Sequence, residues 1–189
     1  MNKITPHTIS DLYHTLSMPV EEEINFTILS VPDIHPQIPF KSPVLRAEYY
    51  SFIITKEGSG VYKLDDNKFP FGDRSIYFTN PGHIKSYELF SSKEAQIIML
   101  TEKFLQENVH PQIYNEFPFL LAEIVPPNNQ TEKEFKEFEL LFSQIEFEFN
   151  NDSTYKNKII GNMILVLLLK IKERFWANYN PLLEGEHNS

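Results

Sequence analysis

Residues 56–87 constrain the fold most strongly, because short apolar segments alternate there with turn residues at regular intervals. Strands spaced this closely leave no room for helical crossovers, so they must pair mostly antiparallel. Four predicted turns separate them: Glu57-Gly58-Ser59-Gly60, Asp65-Asp66-Asn67, Pro70-Phe71-Gly72-Asp73 and Asn80-Pro81-Gly82. The pattern predicts a small antiparallel β-barrel.

The glycine-rich turn at Glu57-Gly58-Ser59-Gly60 is interpreted as the tight reversal of a hairpin. Glycine reaches positive φ without steric cost, and apolar segments flank the turn at residues 52–54 and 61–64. Further strands are predicted at residues 24–31, 75–78 and 86–90, and a short amphipathic segment at residues 8–16.

A helix is predicted over residues 131–149, where the hydrophobic period changes. Thr131-Glu132-Lys133-Glu134 is a capping box, in which the threonine hydroxyl accepts from the Glu134 N–H and the carboxylate reaches back. Apolar residues then recur at steps of three and four, which predicts one buried face. They are Phe135, Phe138, Leu141, Phe142, Ile145 and Phe149.

A second helix is predicted over residues 154–176, after the turn and cap Asn150-Asn151-Asp152-Ser153. Its run at residues 163–169 is apolar on every side but too short to span a membrane, which takes ~20 apolar residues. Either this helix is the central core helix of a monomer, or one face meets the same helix of a second subunit. We favour the second alternative and predict a homodimer. Its predicted contacts are Ile164, Leu165, Leu168, Leu169 and Lys172.

Composition excludes several classes of function. Lys and Arg total 17 against 26 Asp and Glu, a net charge of -9 that opposes nonspecific attraction to nucleic acid. Cysteine is absent, so disulfides, thiol catalysis and cysteine-ligated zinc are unavailable. The first residues lack the apolar run of a signal peptide. We therefore expect a cytoplasmic protein.

Three segments in this order carry a family resemblance: Glu57-Gly58-Ser59-Gly60, Phe69-Pro70-Phe71-Gly72-Asp73 and Phe78-Thr79-Asn80-Pro81-Gly82-His83. Together they resemble the core of the cupin barrel, and most closely the amino-terminal regulatory domain of AraC/XylS-type transcriptional regulators. The resemblance extends over nearly the whole chain. It implies a mainly β fold with helices: a cupin-like antiparallel β-barrel of the double-stranded β-helix type, followed by two long antiparallel α-helices.

The resemblance also implies a function and a domain plan. We expect a ligand-sensing and dimerisation domain at residues 1–177, with an arm at 1–23, the barrel at 24–100 and a helical dimerisation part at 101–177. Residues 178–189 are expected to be a polar tail or the start of a linker. They are too few for a helix-turn-helix, so DNA would be bound only through a carboxy-terminal domain absent from this chain. The effector, the target promoter and the sign of regulation stay open.

Enzymatic activity is not expected. Cupin enzymes hold a metal with a His-x-His pair, a glutamate and a later histidine, and this resemblance places Leu45, Ala47, Ser51 and Lys85 at those positions. We therefore expect no metal and no cofactor. Nucleophile-elbow, phosphate-loop and His-Glu-x-x-His motifs are also missing from the sequence. A stand-alone, non-enzymatic cupin-like binding protein is the alternative, and a cupin enzyme the third possibility.

The predicted ligand site lies inside the barrel. Alternation along strands, with the ligand positions of the resembled barrels facing inward, predicts a lumen lined by Leu45, Ala47, Tyr49, Ser51 and Ile53 and by His83, Lys85 and Tyr87. The predicted ligand-binding residues are Tyr49, Ser51, Tyr62, Tyr77, Lys85 and Tyr87, around a cavity of the usual ~300–1,000 Å³. We expect Lys85 to be a solvated lysine at the rim, or else to meet a carboxylate or phosphate of a small-molecule ligand.

Overall fold

The computed structural model describes residues 6–20, 23–121 and 127–175. Its strands over those ranges are β1 (Pro6–His7), β2 (Phe26–Ser30), β3 (Phe40–Lys41), β4 (Leu45–Ala47), β5 (Tyr50–Leu64), β6 (Asn67–Phe71), β7 (Ser75–Thr79), β8 (Ile84–Leu100) and β9 (Asn128–Asn129). Its helices are α1 (Ile9–Thr15), α2 (Val31–Ile34), α3 (Glu102–Phe104), α4 (Ile113–Glu116), α5 (Glu132–Asn150) and α6 (Lys156–Arg174). A π-helical turn follows α3 at Leu105–Val109, and a 3₁₀ turn occupies Pro118–Leu121. The predicted tail at residues 178–189 lies outside the described residues.

One long antiparallel pair, β5 with β8, organises the barrel. The pairing runs from Tyr50 opposite Leu100 to Leu64 opposite Lys85, with register shifts between Thr55 and Gly60. In one half of the pair, β2 adds to β8 and β7 adds to β5; in the other half, β3 and β4 add to β8 and β6 adds to β5. Side chains from both halves line a common lumen. The predicted barrel with mostly antiparallel pairing is confirmed.

The predicted hairpin at residues 57–60 is wrong, because β5 continues straight through it. The glycines serve a close approach between strands instead. A Cβ at Gly58 would stand 2.8 Å from the carbonyl oxygen of Ser91, and one at Gly60 would stand 2.2 Å from that of Glu88. Three register shifts at this point are typical of β-bulges, which bend a strand and increase its twist. The bend lets a single strand serve both halves of the barrel.

The other predicted turns are close to the observed ones. The chain reverses at Asp65-Asp66, where Asp65 has a φ of 51°, and again after Asn80, where Gly82 has a φ of 91°. The third turn lies at Asp73-Arg74, because Pro70 and Phe71 still belong to β6. The strand predicted at residues 86–90 is a fragment of the much longer β8.

The two long helices are antiparallel, as predicted. Thr131 and Glu134 form the expected capping box at the start of α5. Glu137 near that start accepts hydrogen bonds from Lys170 at 2.9 Å and Arg174 at 2.6 Å, both near the end of α6. Helix α6 begins at Lys156, two residues later than predicted, and no side chain caps it. Its predicted end at Trp176 lies outside the described residues.

Helix α6 is a core helix of its own subunit. Ile164 and Leu168 are 0% exposed and belong to the cluster that joins α5, α6 and the barrel. A Cβ on Gly161 would stand 2.0 Å from the backbone oxygen of Asn108, so the π-helical turn covers the helix on another side. Within the described ranges, no helix is both long enough and apolar enough to cross a bilayer.

Two of the five predicted dimer contacts therefore face inward, which corrects the prediction for Ile164 and Leu168. Leu165 is half-buried against the same core, and Lys172 donates to the backbone oxygen of Glu116 at 2.8 Å. Leu169 is 45% exposed. The apolar run is wide because α6 packs against α5 on one side and against the segment after β8 on another. Dimerisation itself stays a prediction.

Candidate functional site

A cavity of about 90 Å³ lies between the two halves of the barrel. All six residues predicted to bind a ligand line it: Tyr49, Ser51, Tyr62, Tyr77, Lys85 and Tyr87. Leu45 and Ile53 also line it, as predicted. Ala47 instead packs beneath α1, and His83 lies outside the lumen, where its Nδ1 is 2.8 Å from an Asp65 carboxylate oxygen.

The cavity is smaller than the range expected from the sequence, because aromatic rings fill much of the lumen. The ring centroids of Tyr62 and Tyr77 are 5.4 Å apart, and those of Phe71 and Tyr77 are 5.3 Å apart. Burial raises the pKa of Tyr62 and of Tyr77, so both rings present neutral hydroxyls. This part of the lumen suits a small or flat apolar group.

Lys85 lies inside the barrel, and the prediction of a solvated rim lysine is wrong. It is 9% exposed. Its Nζ donates to the hydroxyl oxygens of Ser51 and Thr79, each at 3.3 Å, and lies 4.9 Å from the centroid of the Tyr49 ring. The inward direction follows from strand register, since Lys85 is opposite Leu64 on β5 and Leu45 on β4. Both neighbours have their side chains on the inner side.

Burial lowers the pKa of Lys85 to about 7. In the described part of the chain no carboxylate lies within ion-pair distance of its amine, so nothing offsets the loss of hydration. The ring of Tyr49 offers only the weaker attraction of an aromatic face. Near neutral pH the site therefore contains both the free amine and the ammonium.

A second polar group, Tyr87, lines the cavity two residues after Lys85 on the same face of β8. The Tyr87 hydroxyl is 2.6 Å from Nε2 of His35, whose ring stacks on Phe40 with centroids 3.9 Å apart. Burial lowers the pKa of His35 and raises that of Tyr87 to about 12. Both groups are therefore neutral at physiological pH. The contact with His35 fixes the Tyr87 hydroxyl, and the tyrosine side chain forms part of the cavity lining.

Segments before β5 form part of the cavity wall, which sequence reasoning missed. Leu12 of α1 and Val31 and Ile34 of α2 contribute to its lining. Helix α1 is fixed by the contact between the hydroxyls of Tyr13 and Thr27, and by packing beneath its buried face. Only the amphipathic pattern at residues 8–16 could have indicated that a helix covers the barrel.

Thr79 is the other residue missed, although the sequence held a signal for it. It lies directly before the turn at Asn80, and β7 pairs with β5 so that Thr79 is opposite Ser51. Residues opposite one another point to the same face of a sheet. Identifying Ser51 as inward-facing would have placed Thr79 beside it.

Metal-ligating side chains do not cluster here. Over residues 6–20, 23–121 and 127–175, no group of three or more His, Cys, Asp or Glu is arranged to hold a metal ion. At three of the four positions given by the family resemblance, Leu45, Ser51 and Lys85 line the lumen. None of these three is a usual metal ligand at neutral pH.

Comparison with known proteins finds structural likeness only. No protein-family model and no curated protein matches the sequence. The AraC-like transcriptional activator CuxR is similar with a TM-score of 0.44 and 10% identity, over 65% of this chain and 42% of CuxR. ToxT from Vibrio cholerae O395, bound to a naphthalenyl-butenoic acid, has a TM-score of 0.46 and 9% identity, over 80% of this chain and 58% of ToxT.

Cupin proteins are also among the similar structures. The cupin domain of Cnp3 from Schizosaccharomyces pombe has a TM-score of 0.35 and 12% identity, over 47% of this chain and 61% of that domain. The chain thus spans less than two thirds of each of these three proteins.

Proposed function

We propose that this chain is the ligand-sensing and dimerisation unit of an AraC-like transcription regulator, and that its small-molecule effector binds in the barrel cavity. One observation carries the proposal: Lys85 is buried in a largely apolar cavity, and none of the described residues gives its amine an acidic partner. Burying an amine in this way costs free energy and contributes little to packing. Such a group is typical of a binding site rather than of a structural core.

The cavity wall suggests how binding would be transmitted. Leu12 of α1 and Val31 of α2 border the cavity. The two long helices pack on the other face of β5 and β8, around Phe52 and Ile98. An effector that prefers one arrangement of these segments shifts the population towards it. In a regulator, that shift would change how two DNA-binding domains are set relative to each other.

A binding screen with a matched variant tests the proposal. Thermal unfolding of the chain is followed with small sugars, small aromatic compounds, short carboxylic acids and short aldehydes and ketones, each tested separately. A ligand of the cavity raises the unfolding temperature of the wild type, and Thr79→Val, which replaces a hydroxyl of the lining by a methyl group of similar size, reduces that shift. The control is Val44→Thr, a change of similar size at an exposed position outside the cavity, and it should keep the full shift. Failure of every class to stabilise the wild type would count against sensing through this cavity.

The coding sequence beyond Ser189 distinguishes the regulator from the alternative, a stand-alone binding protein. A regulator requires a basic segment downstream with two helix-turn-helix units. A stop codon directly after Ser189 in the natural gene favours the stand-alone protein. The ligand screen is informative in both cases.

A further inference from the structure

Lys85 has the surroundings of a nucleophilic lysine. Its amine is held by two neutral hydroxyls, those of Ser51 and Thr79, and is turned into the cavity. Lysine is rarely buried without a partner, because the ammonium loses its hydration. A desolvated amine that is free of its proton attacks carbonyl carbon readily, which is how Schiff-base lysines are activated in apolar pockets.

We propose that the cavity takes a small aldehyde or ketone, and that Lys85 holds it as a reversible imine. The inference rests on the proposed function, because it assigns a chemical class to the effector of the same cavity. The cavity of about 90 Å³ limits the ligand to a few non-hydrogen atoms.

The reaction balances without any further reagent. The amine lone pair forms a bond to the carbonyl carbon while the C=O π pair moves to oxygen, and a proton passes from nitrogen to that oxygen. The carbinolamine then loses its hydroxyl group together with the remaining N–H proton as water, the C=N bond forms, and nothing is oxidised or reduced. The hydroxyls of Ser51 and Thr79, both 3.3 Å from Nζ, can each donate and accept a proton and so can carry it between nitrogen and oxygen.

The rest of the lining suits an imine. Apolar side chains such as Ile53, Leu89 and Ile97 line the site, and apolar surroundings slow hydrolysis of the C=N bond because they disfavour water. When the imine is protonated, its positive charge lies beside the face of the Tyr49 ring, which attracts cations.

A carboxylate fits the same wall less well. It has about four acceptor positions to satisfy, and it must lose much of its hydration to enter a largely apolar cavity. Near the amine, the described lining offers the hydroxyls of Ser51 and Thr79, while His35 is neutral and bonded to Tyr87. A carbonyl compound needs only the amine and a relay for one proton.

Reductive trapping tests the proposal on the chain as it stands. The protein is incubated at pH 7 with propionaldehyde, butyraldehyde or acetone and sodium cyanoborohydride, which reduces an imine to a stable secondary amine. Modified lysines are then mapped by peptide mass spectrometry. We expect Lys85 to be modified at lower aldehyde concentration than Lys63, a partly exposed lysine that pairs with Glu88 at 3.3 Å. Its labelling should reach half of its maximum near pH 7.

Two variants and one competitor make the outcome decisive. Lys85→Met should remove the adduct that forms at low aldehyde concentration, and Lys63→Met should keep it. Modification of surface lysines with Lys85 untouched overturns the imine, and the comparison within the wild-type chain decides this even if Lys85→Met fails to fold. Stabilisation of the wild type by butyrate, without any Lys85 adduct from butyraldehyde, also overturns the imine but leaves a ligand-sensing cavity intact.

Discussion

Gly60 lies so close to Glu88 that a Cβ on the glycine would stand 2.2 Å from the glutamate carbonyl oxygen and 2.7 Å from the Phe71 ring. The register between the two central strands shifts at this same place. Close backbone approach of this kind is one of the reasons that glycine occurs within a strand. The contact lets β5 and β8 fold over together, so that one pair of strands builds both halves of the barrel.

Replacing Gly60 by alanine should destabilise the barrel by about 1–3 kcal/mol, since the added methyl group meets backbone that cannot move without breaking the strand pairing. Gly72→Ala is the matched control, because among the described residues no atom beyond its two chain neighbours lies within 4 Å of its Cβ position. It should leave the free energy of unfolding nearly unchanged or raise it slightly. Urea unfolding of both variants measures the difference. Equal stability of the two would contradict the packing described for Gly60.

Glycine explains where the sequence reasoning failed for the fold. A glycine pair between two apolar segments is typical both of a hairpin turn and of a bulge inside one strand, and the hydrophobic alternation is the same in the two cases. The choice depends on which strands lie across from Gly58 and Gly60. That is a tertiary fact, and no local pattern contains it.

The site was better predicted than the strand that carries it. A period of two places Tyr49 and Ser51 on one face of a strand, and Lys85 and Tyr87 on one face of another, and this holds whether or not a hairpin separates them. Burial could not be predicted in the same way. Covering Lys85 requires helix α1 and the strand that carries Thr79, which come from separate parts of the chain.

Lys85→Met should change how stability depends on pH. The folded-state pKa of about 7 lies below the 10.5 of a free lysine, so between these values the unfolded chain binds the proton and the folded chain does not. The stability of the wild type relative to the variant should therefore rise with pH, by about 1.4 kcal/mol per unit from pH 7 to pH 9. Below pH 7 the difference should be constant. Urea midpoints at four pH values measure it, and a constant difference from pH 6 to pH 9 would mean that the amine reaches solvent.

Protein purified without chelator should contain far less than one equivalent of iron, manganese, nickel or zinc by elemental analysis. The reason is the donor set, since Ser51 and Lys85 offer the cavity a hydroxyl and an amine rather than imidazole and carboxylate groups. The same measurement on Lys85→Met controls for metal bound elsewhere. One equivalent of metal in the wild type, lost in that variant, would place a metal in the barrel and favour an enzyme.

A two-fold homodimer should form through the outer face of α6. Val166 and Leu169 are 42% and 45% exposed there, although the buried side of the helix is already packed against its own subunit. Two-fold symmetry places the same surface on both partners, so Val166→Glu with Leu169→Glu brings like charges together twice. We expect sedimentation to shift from dimer to monomer with an unchanged unfolding temperature of the barrel.

Val44→Glu, at a still more exposed position between β3 and β4, should stay dimeric. A charge at Leu165 is a poorer test, because this residue is half-buried against its own core. A wild-type chain that sediments as a monomer at micromolar concentration would contradict the predicted dimer.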